Sequence, residues 1–62
     1  MKSYWTVSFQ TQNGIFCSNL VHAEFLEDID KHYSKYPWHV AQIADDSEYK
    51  TAQKKGKPII EL

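Results

Sequence analysis

Arginine is absent from this chain, and all seven of its basic residues are lysines. The planar guanidinium fork is the usual tool for bidentate readout of bases and phosphates, so its absence counts against a sequence-reading nucleic-acid binder. Net charge is −1, with seven lysines against eight acids. That balance excludes a generically basic nucleic-acid binder and an acidic mimic alike. Cysteine occurs once, at Cys17. No internal disulfide can form, and the chain is not a stapled secreted scaffold. No apolar run is long enough to span a bilayer, and no apolar stretch of the signal-peptide kind follows Met1 and Lys2. Glycine and proline number two each, which leaves no material for linkers or low-complexity tracts, and no internal repeat occurs. A Gly-rich phosphate loop and a Gly-x-Ser-x-Gly elbow are both missing. The expectation is a single domain over residues 1–62, cytoplasmic and soluble.

What the sequence does have is aromatic rings: two Trp, four Tyr and three Phe in 62 residues. A chain of this size buries only about 60% of the surface its unfolded form exposes, so each large apolar side chain matters. Rings are a compact way to fill a small core. Their other use is a sticky surface, which makes a dimer or a partner complex part of the folded state.

Trp5, Val7 and Phe9 alternate with Tyr4, Thr6, Ser8 and Gln10, a period-two pattern rich in strand formers. Asn13-Gly14 supplies a turn, and Ile15 to Ala23 reads as the return strand. Two registers compete. A two-residue turn sets Val7 opposite Leu20 and Phe9 opposite Ser18, with Phe16 on their face. A three-residue loop with Gly14 left-handed sets Phe9 opposite Cys17 and Trp5 opposite Val21. A one-residue slip exchanges faces, so only one can hold. The bulged form collects Ile15, Cys17, Val21 and Ala23 on the Trp5-Val7-Phe9 face, leaving only Asn19 polar, and is preferred on that apolar count.

Residues 25 to 36 carry the clearest helical pattern, with Phe25, Leu26, Ile29, His32, Tyr33 and Tyr36 in an arc of roughly 120°. Acids lead and lysines follow, as the helix dipole favours, and Pro37 ends the run. Trp38 to Ala44 reads as a third strand. Asp45-Asp46-Ser47-Glu48 has capping-box spacing and opens a short second helix through Lys55, with Gly56 as its left-handed stop. Ile59 to Leu62 makes a last short strand. The order β-β-α-β-α-β implies a two-layer α+β domain: a small, mostly antiparallel sheet with one amphipathic helix across a face. The second helix, whose apolar residues are only Tyr49 and Ala52, is expected at the edge.

The stretch KHYSKYPWH, residues 31 to 39, concentrates histidines, rings and lysines. It reads chiefly as a helix end, a breaker and a strand start. On the helical wheel Lys31 and Lys35 point away from Tyr33 and Tyr36, so they form no joint stacking platform. His22, His32, His39 and Cys17 are ligand types, but no pair has a recognised zinc spacing, and either hairpin register leaves Cys17 and His22 on opposite faces. Ser18 and Ser34 lack any nucleophile motif. The acids fall in helix first turns or on a solvent face, where capping and solubility account for them. No catalytic residue, metal, cofactor or small-molecule ligand is expected.

Two features remain as candidate partner-binding residues. Lys50, Lys54, Lys55 and Lys57 form the one charge cluster, at the C-terminal end of the second helix, where lysines also complement the dipole. Trp38 and Val40 share one face of the third strand, while His39, Ala41 and Ile43 share the other, likelier core face. That leaves Trp38 largely exposed, as an interface anchor would be. The expected function is a small non-enzymatic interaction module acting by protein–protein contact, with a homodimer included. The alternative is a weak nucleic-acid-binding accessory protein using the Lys50 to Lys57 patch. The lysine-only basic set is compatible with an AT-rich bacterial genome, and the short frame is of the sort carried by phages and conjugative elements.

Overall fold

The computed structural model describes all residues 1–62. The chain runs β1 (Ser3–Gln10), β2 (Phe16–Ala23), α1 (Leu26–His32), β3 (Trp38–Ile43), α2 (Asp46–Lys54) and β4 (Ile59–Glu61). One four-stranded sheet has the order β3-β1-β2-β4. β1 is antiparallel to both β2 and β3, and β4 joins β2 in parallel. The fold is α+β in the order read from the sequence.

The hairpin takes the bulged register, with Phe9 opposite Cys17 and Trp5 opposite Val21. Thr11 N–H donates to Ile15 O at 2.9 Å, closing a three-residue loop over Gln12, Asn13 and Gly14. Gly14 has φ +82°, the left-handed conformation that this loop needs and that glycine adopts without strain. That register sends Val7, Phe9, Val21 and Ala23 to one face, where Ile29 and Tyr33 close over them. Val7, Val21, Ala23 and Ile29 are fully buried, and Tyr33 is 1% exposed. Asn19, the one polar residue that β2 sends to this face, donates its amide to the Tyr33 hydroxyl at 2.9 Å, so burial leaves neither group unpaired.

The first helix is shorter than its periodicity implies. Phe25 is already extended (φ −116°, ψ 135°), and Tyr33 leaves helical geometry at φ −98°, ψ 8°. Ser34 caps the end by donating its hydroxyl to Lys31 O at 2.9 Å, and a further turn carries Tyr36 N–H to Tyr33 O. Pro37 disfavours helix at Tyr36, and the chain must turn back to lay β3 beside β1. Phe25 and Leu26, placed in the buried arc by the wheel, are 60% and 46% exposed. Because the helix is over by residue 33, the wheel also misplaces Lys35: its Nζ lies 5.4 Å above the Tyr36 ring.

The second helix is not at the sheet margin. Tyr49 packs its ring 4.6 Å from that of Tyr4, Glu48 accepts a hydrogen bond from Thr6, and Ala52 is buried near Leu20. These partners belong to the two central strands and alternate with the core residues, so α2 covers the face opposite α1. Its few apolar residues suggested an edge position, but Tyr49 and Ala52 suffice to hold it against β1 and β2. The N-cap is half of the expected box. Asp45 accepts from Glu48 N–H at 2.8 Å, while the Glu48 carboxylate is drawn to Thr6 instead of reaching back.

Candidate partner-binding surface

On the α2 face the sheet registers stack side chains in rows across β3, β1 and β2. One row is Trp38, Gln10 and Phe16; the next is Val40, Ser8 and Ser18; the third is Gln42, Thr6 and Leu20. Helix α2 reaches the third row through Thr6 and Leu20 and leaves the first two open. Phe16 is 70% exposed, Val40 49% and Trp38 38%. The Trp38 indole N–H donates to Gln10 Oε1 at 2.8 Å, and its ring centre lies 5.8 Å from that of Phe16. Trp38 is therefore held in one orientation with its donor satisfied and much of its ring in solvent. The result is a flat apolar strip floored by two serines.

The third strand divides its faces as its alternation implies. His39 and Ala41 are half-buried on the core side, while Ile43 on that side stays 60% exposed because it lies at the open end of the strand. Phe16 was not among the candidate residues read from the sequence. Its signal lay in the hairpin register: the bulged form that turns Cys17 and Val21 to the core side necessarily turns Phe16 to the outer face, beside Trp38.

The basic cluster is split by the helix that bears it. Lys50 and Lys54 border a shallow depression with Ser47, Thr51 and Gln53. Lys55 and Lys57 instead border a cleft of about 260 Å³ between α2 and the sheet, whose other walls include Thr6, Ser18, Glu48 and Thr51. All four lysines are exposed, and no lysine in the chain forms an ion pair.

The histidines have local structural partners. His22 stacks on Tyr4 with ring centres 4.5 Å apart, and its Nδ1 lies 2.6 Å from Glu61, which ties β2 to the end of β4. His39 Nε2 lies 2.7 Å from Asp30, linking β3 to α1. His32 meets the Tyr33 ring edge-on. Cys17 is a half-buried free thiol. No three His, Cys, Asp or Glu side chains come together in a group that could hold a metal ion. No helix is long and apolar enough to cross a membrane. Two tyrosines have raised phenol pKa values: Tyr33 chiefly through burial, with the Asn19 hydrogen bond acting the other way, and Tyr4 chiefly through hydrogen bonding with Tyr49. Neither lies in the open strip. No family model, curated protein or solved structure matches the chain.

Proposed function

We propose that this chain is a non-enzymatic interaction module that binds protein, a second copy of itself included, through the open half of the α2 face. The observation that carries the reading is the contiguous exposure of Phe16, Trp38 and Val40 in a chain of 62 residues with little apolar surface to spare. Aromatic anchors set in a flat, partly polar surface are the usual centre of such an interface. The test is light scattering over a concentration series, on the parent and on the double variant Phe16→Ser with Val40→Ser. Both side chains are exposed, so the variant is expected to fold and to lose association. Undiminished association in the double variant removes this face from the reading. A parent that stays monomeric throughout leaves only a heterologous partner.

A second reading is favoured by the four exposed, unpaired lysines at the end of α2. On this reading the chain is a nucleic-acid accessory protein whose weak binding falls steeply with salt, because each phosphate contact releases counterion. Lys54→Glu combined with Lys55→Glu is expected to abolish it. Absence of binding to single- or double-stranded DNA at low salt disposes of the idea. For its setting we propose the cytoplasm of a bacterium and a phage or conjugative element as carrier, supported by the lysine-only basic set and the free Cys17. Neighbouring genes for a nuclease, a transfer apparatus or a repressor are the expected context.

A further inference from the structure

We infer that the outer edge of β3 pairs antiparallel with the β3 of a second copy of this chain, in a single register centred on Ala41. This rests on the self-association part of the reading above, extends its surface from the open face to the strand edge that borders it, and adds the alignment. In that alignment the Val40 side chains of the two copies are diagonal neighbours on the open face, so Val40→Ser weakens this contact too.

The two ends of the sheet are not alike. β4 closes one end with three residues, preceded by Lys57 and Pro58 and carrying Glu61. A short strand with charge and proline beside it is a protected edge. β3 closes the other end with six residues, Trp38-His39-Val40-Ala41-Gln42-Ile43. Pro37 precedes it as Pro58 precedes β4, but the strand is twice as long and has no acid within it as β4 has Glu61. It contains no lysine, acid or proline, and its pairing with β1 runs unbroken over all six residues, without a bulge. Its one titratable side chain, His39, is already engaged by Asp30.

The hydrogen-bond phase then selects the register. Ala44 N–H donates to Tyr4 O, and Thr11 N–H donates to Ile15 O. Bonded pairs alternate along an antiparallel ladder, so even-numbered residues of β3 bond inward to β1. The N–H and C=O groups of His39, Ala41 and Ile43 point outward, and none of these takes part in a turn, loop or cap bond. A two-fold axis normal to the sheet at Ala41 sets Ala41 against Ala41 of the second copy and His39 against its Ile43. Every outward group of the strand then finds a partner. A slip of two residues in either direction strands one end of the ladder, and a slip of one sets inward against outward groups.

Charge fits the same alignment. Asp45 and Asp46 follow β3 closely and Lys35 precedes it closely, so an antiparallel pair carries each copy's acids toward the other copy's lysine. Trp38 and Val40 remain on the open face, and the two exposed strips become one continuous surface across the joint. A six-residue edge is less than a standard interface, so the dimer is expected to dissociate on dilution.

The deciding experiment is residue-resolved amide exchange by NMR at two protein concentrations, with the dimer fraction measured by sedimentation equilibrium. On dimerisation the His39, Ala41 and Ile43 amides are expected to slow by about tenfold or more, while Trp38, Val40 and Gln42 are slow in both samples. Ala41→Pro removes the outward donor at the axis and is expected to weaken the dimer by about tenfold or more. Ile43→Lys, a charge at an exposed edge position, is expected to do the same if the proline variant does not fold. A dimer whose three outward amides stay fast overturns the edge and leaves the Phe16–Trp38–Val40 face as the contact. A chain monomeric at every concentration overturns the pairing and the self-association it rests on, and leaves the heterologous-partner reading intact.

Discussion

On the α1 face, Val7, Phe9, Val21 and Ala23 close against Ile29 and Tyr33, and none of the six is more than 6% exposed. On the α2 face only Leu20 and Ala52 are buried, and two rows of side chains stay open beside them. Helix length does not explain the difference, since α1 has seven residues and α2 has nine. Side-chain volume does. The first helix and the turn after it bring Ile29, Tyr33 and Tyr36 onto the sheet, with Phe9 packed against both tyrosine rings. The second brings Tyr49 and Ala52, enough to fix its position and too little to cover the face. One face is thus committed to holding the domain together, which leaves part of the other available for contact.

The comparison is broken most directly by truncating one aliphatic residue on each side. Ile29→Ala is expected to cost roughly 2 to 5 kcal/mol, because a fully buried side chain leaves a cavity walled by the sheet and the tyrosines. Leu20→Ala is expected to cost less, about 2 kcal/mol, because Leu20 borders the open cleft under α2, where water can enter. Urea unfolding of both variants measures the gap; equal costs would mean that the α2 side packs as a true second core.

Trp38→Ala sharpens the contrast further. Its loss is expected to cost under about 1.5 kcal/mol of monomer stability while weakening association, because the ring contacts mainly Phe16 and Gln10 and keeps 38% exposure. If the substitution unfolds the domain, the strip belongs to the monomer's own packing and the interface argument fails.

The smallest expected effect is confined to alkaline pH. Burial raises the Tyr33 phenol above its ordinary value of about 10. A group with a raised folded-state pKa contributes stability that is present below its unfolded value and lost as pH rises through the folded one. Thermal midpoints are therefore expected to fall above about pH 10. Tyr33→Phe should reduce that slope and cost about 1 kcal/mol near neutrality through the Asn19 bond. Tyr4, raised first by its hydrogen bond with Tyr49, maintains part of the slope in that variant. An unchanged slope in Tyr33→Phe would show that Tyr33 ionises as freely folded as unfolded.

Much of this was legible in the residues. The hairpin register followed from the apolar count on the two faces, because a slip would have turned Cys17 and Val21 to solvent. The split of β3 into a Trp38-Val40 face and a His39-Ala41 face followed from period two alone. The ends of α1 and the seat of α2 were not legible. A wheel assumes that the helix continues, whereas Tyr33 breaks it where core packing and the return to β3 require.

The sequence by itself determined the element order, the strand faces, the turn at Gly14 and the stop at Gly56, because those depend on neighbours within a few residues. Tertiary structure alone decided that α2 would lie over the central strands and that Phe16 would meet Trp38 across Gln10. It also decided which sheet edge would be left long and uncharged. Those outcomes depend on which strands become neighbours, and that is settled by long-range burial against one shared core, which no local spacing encodes.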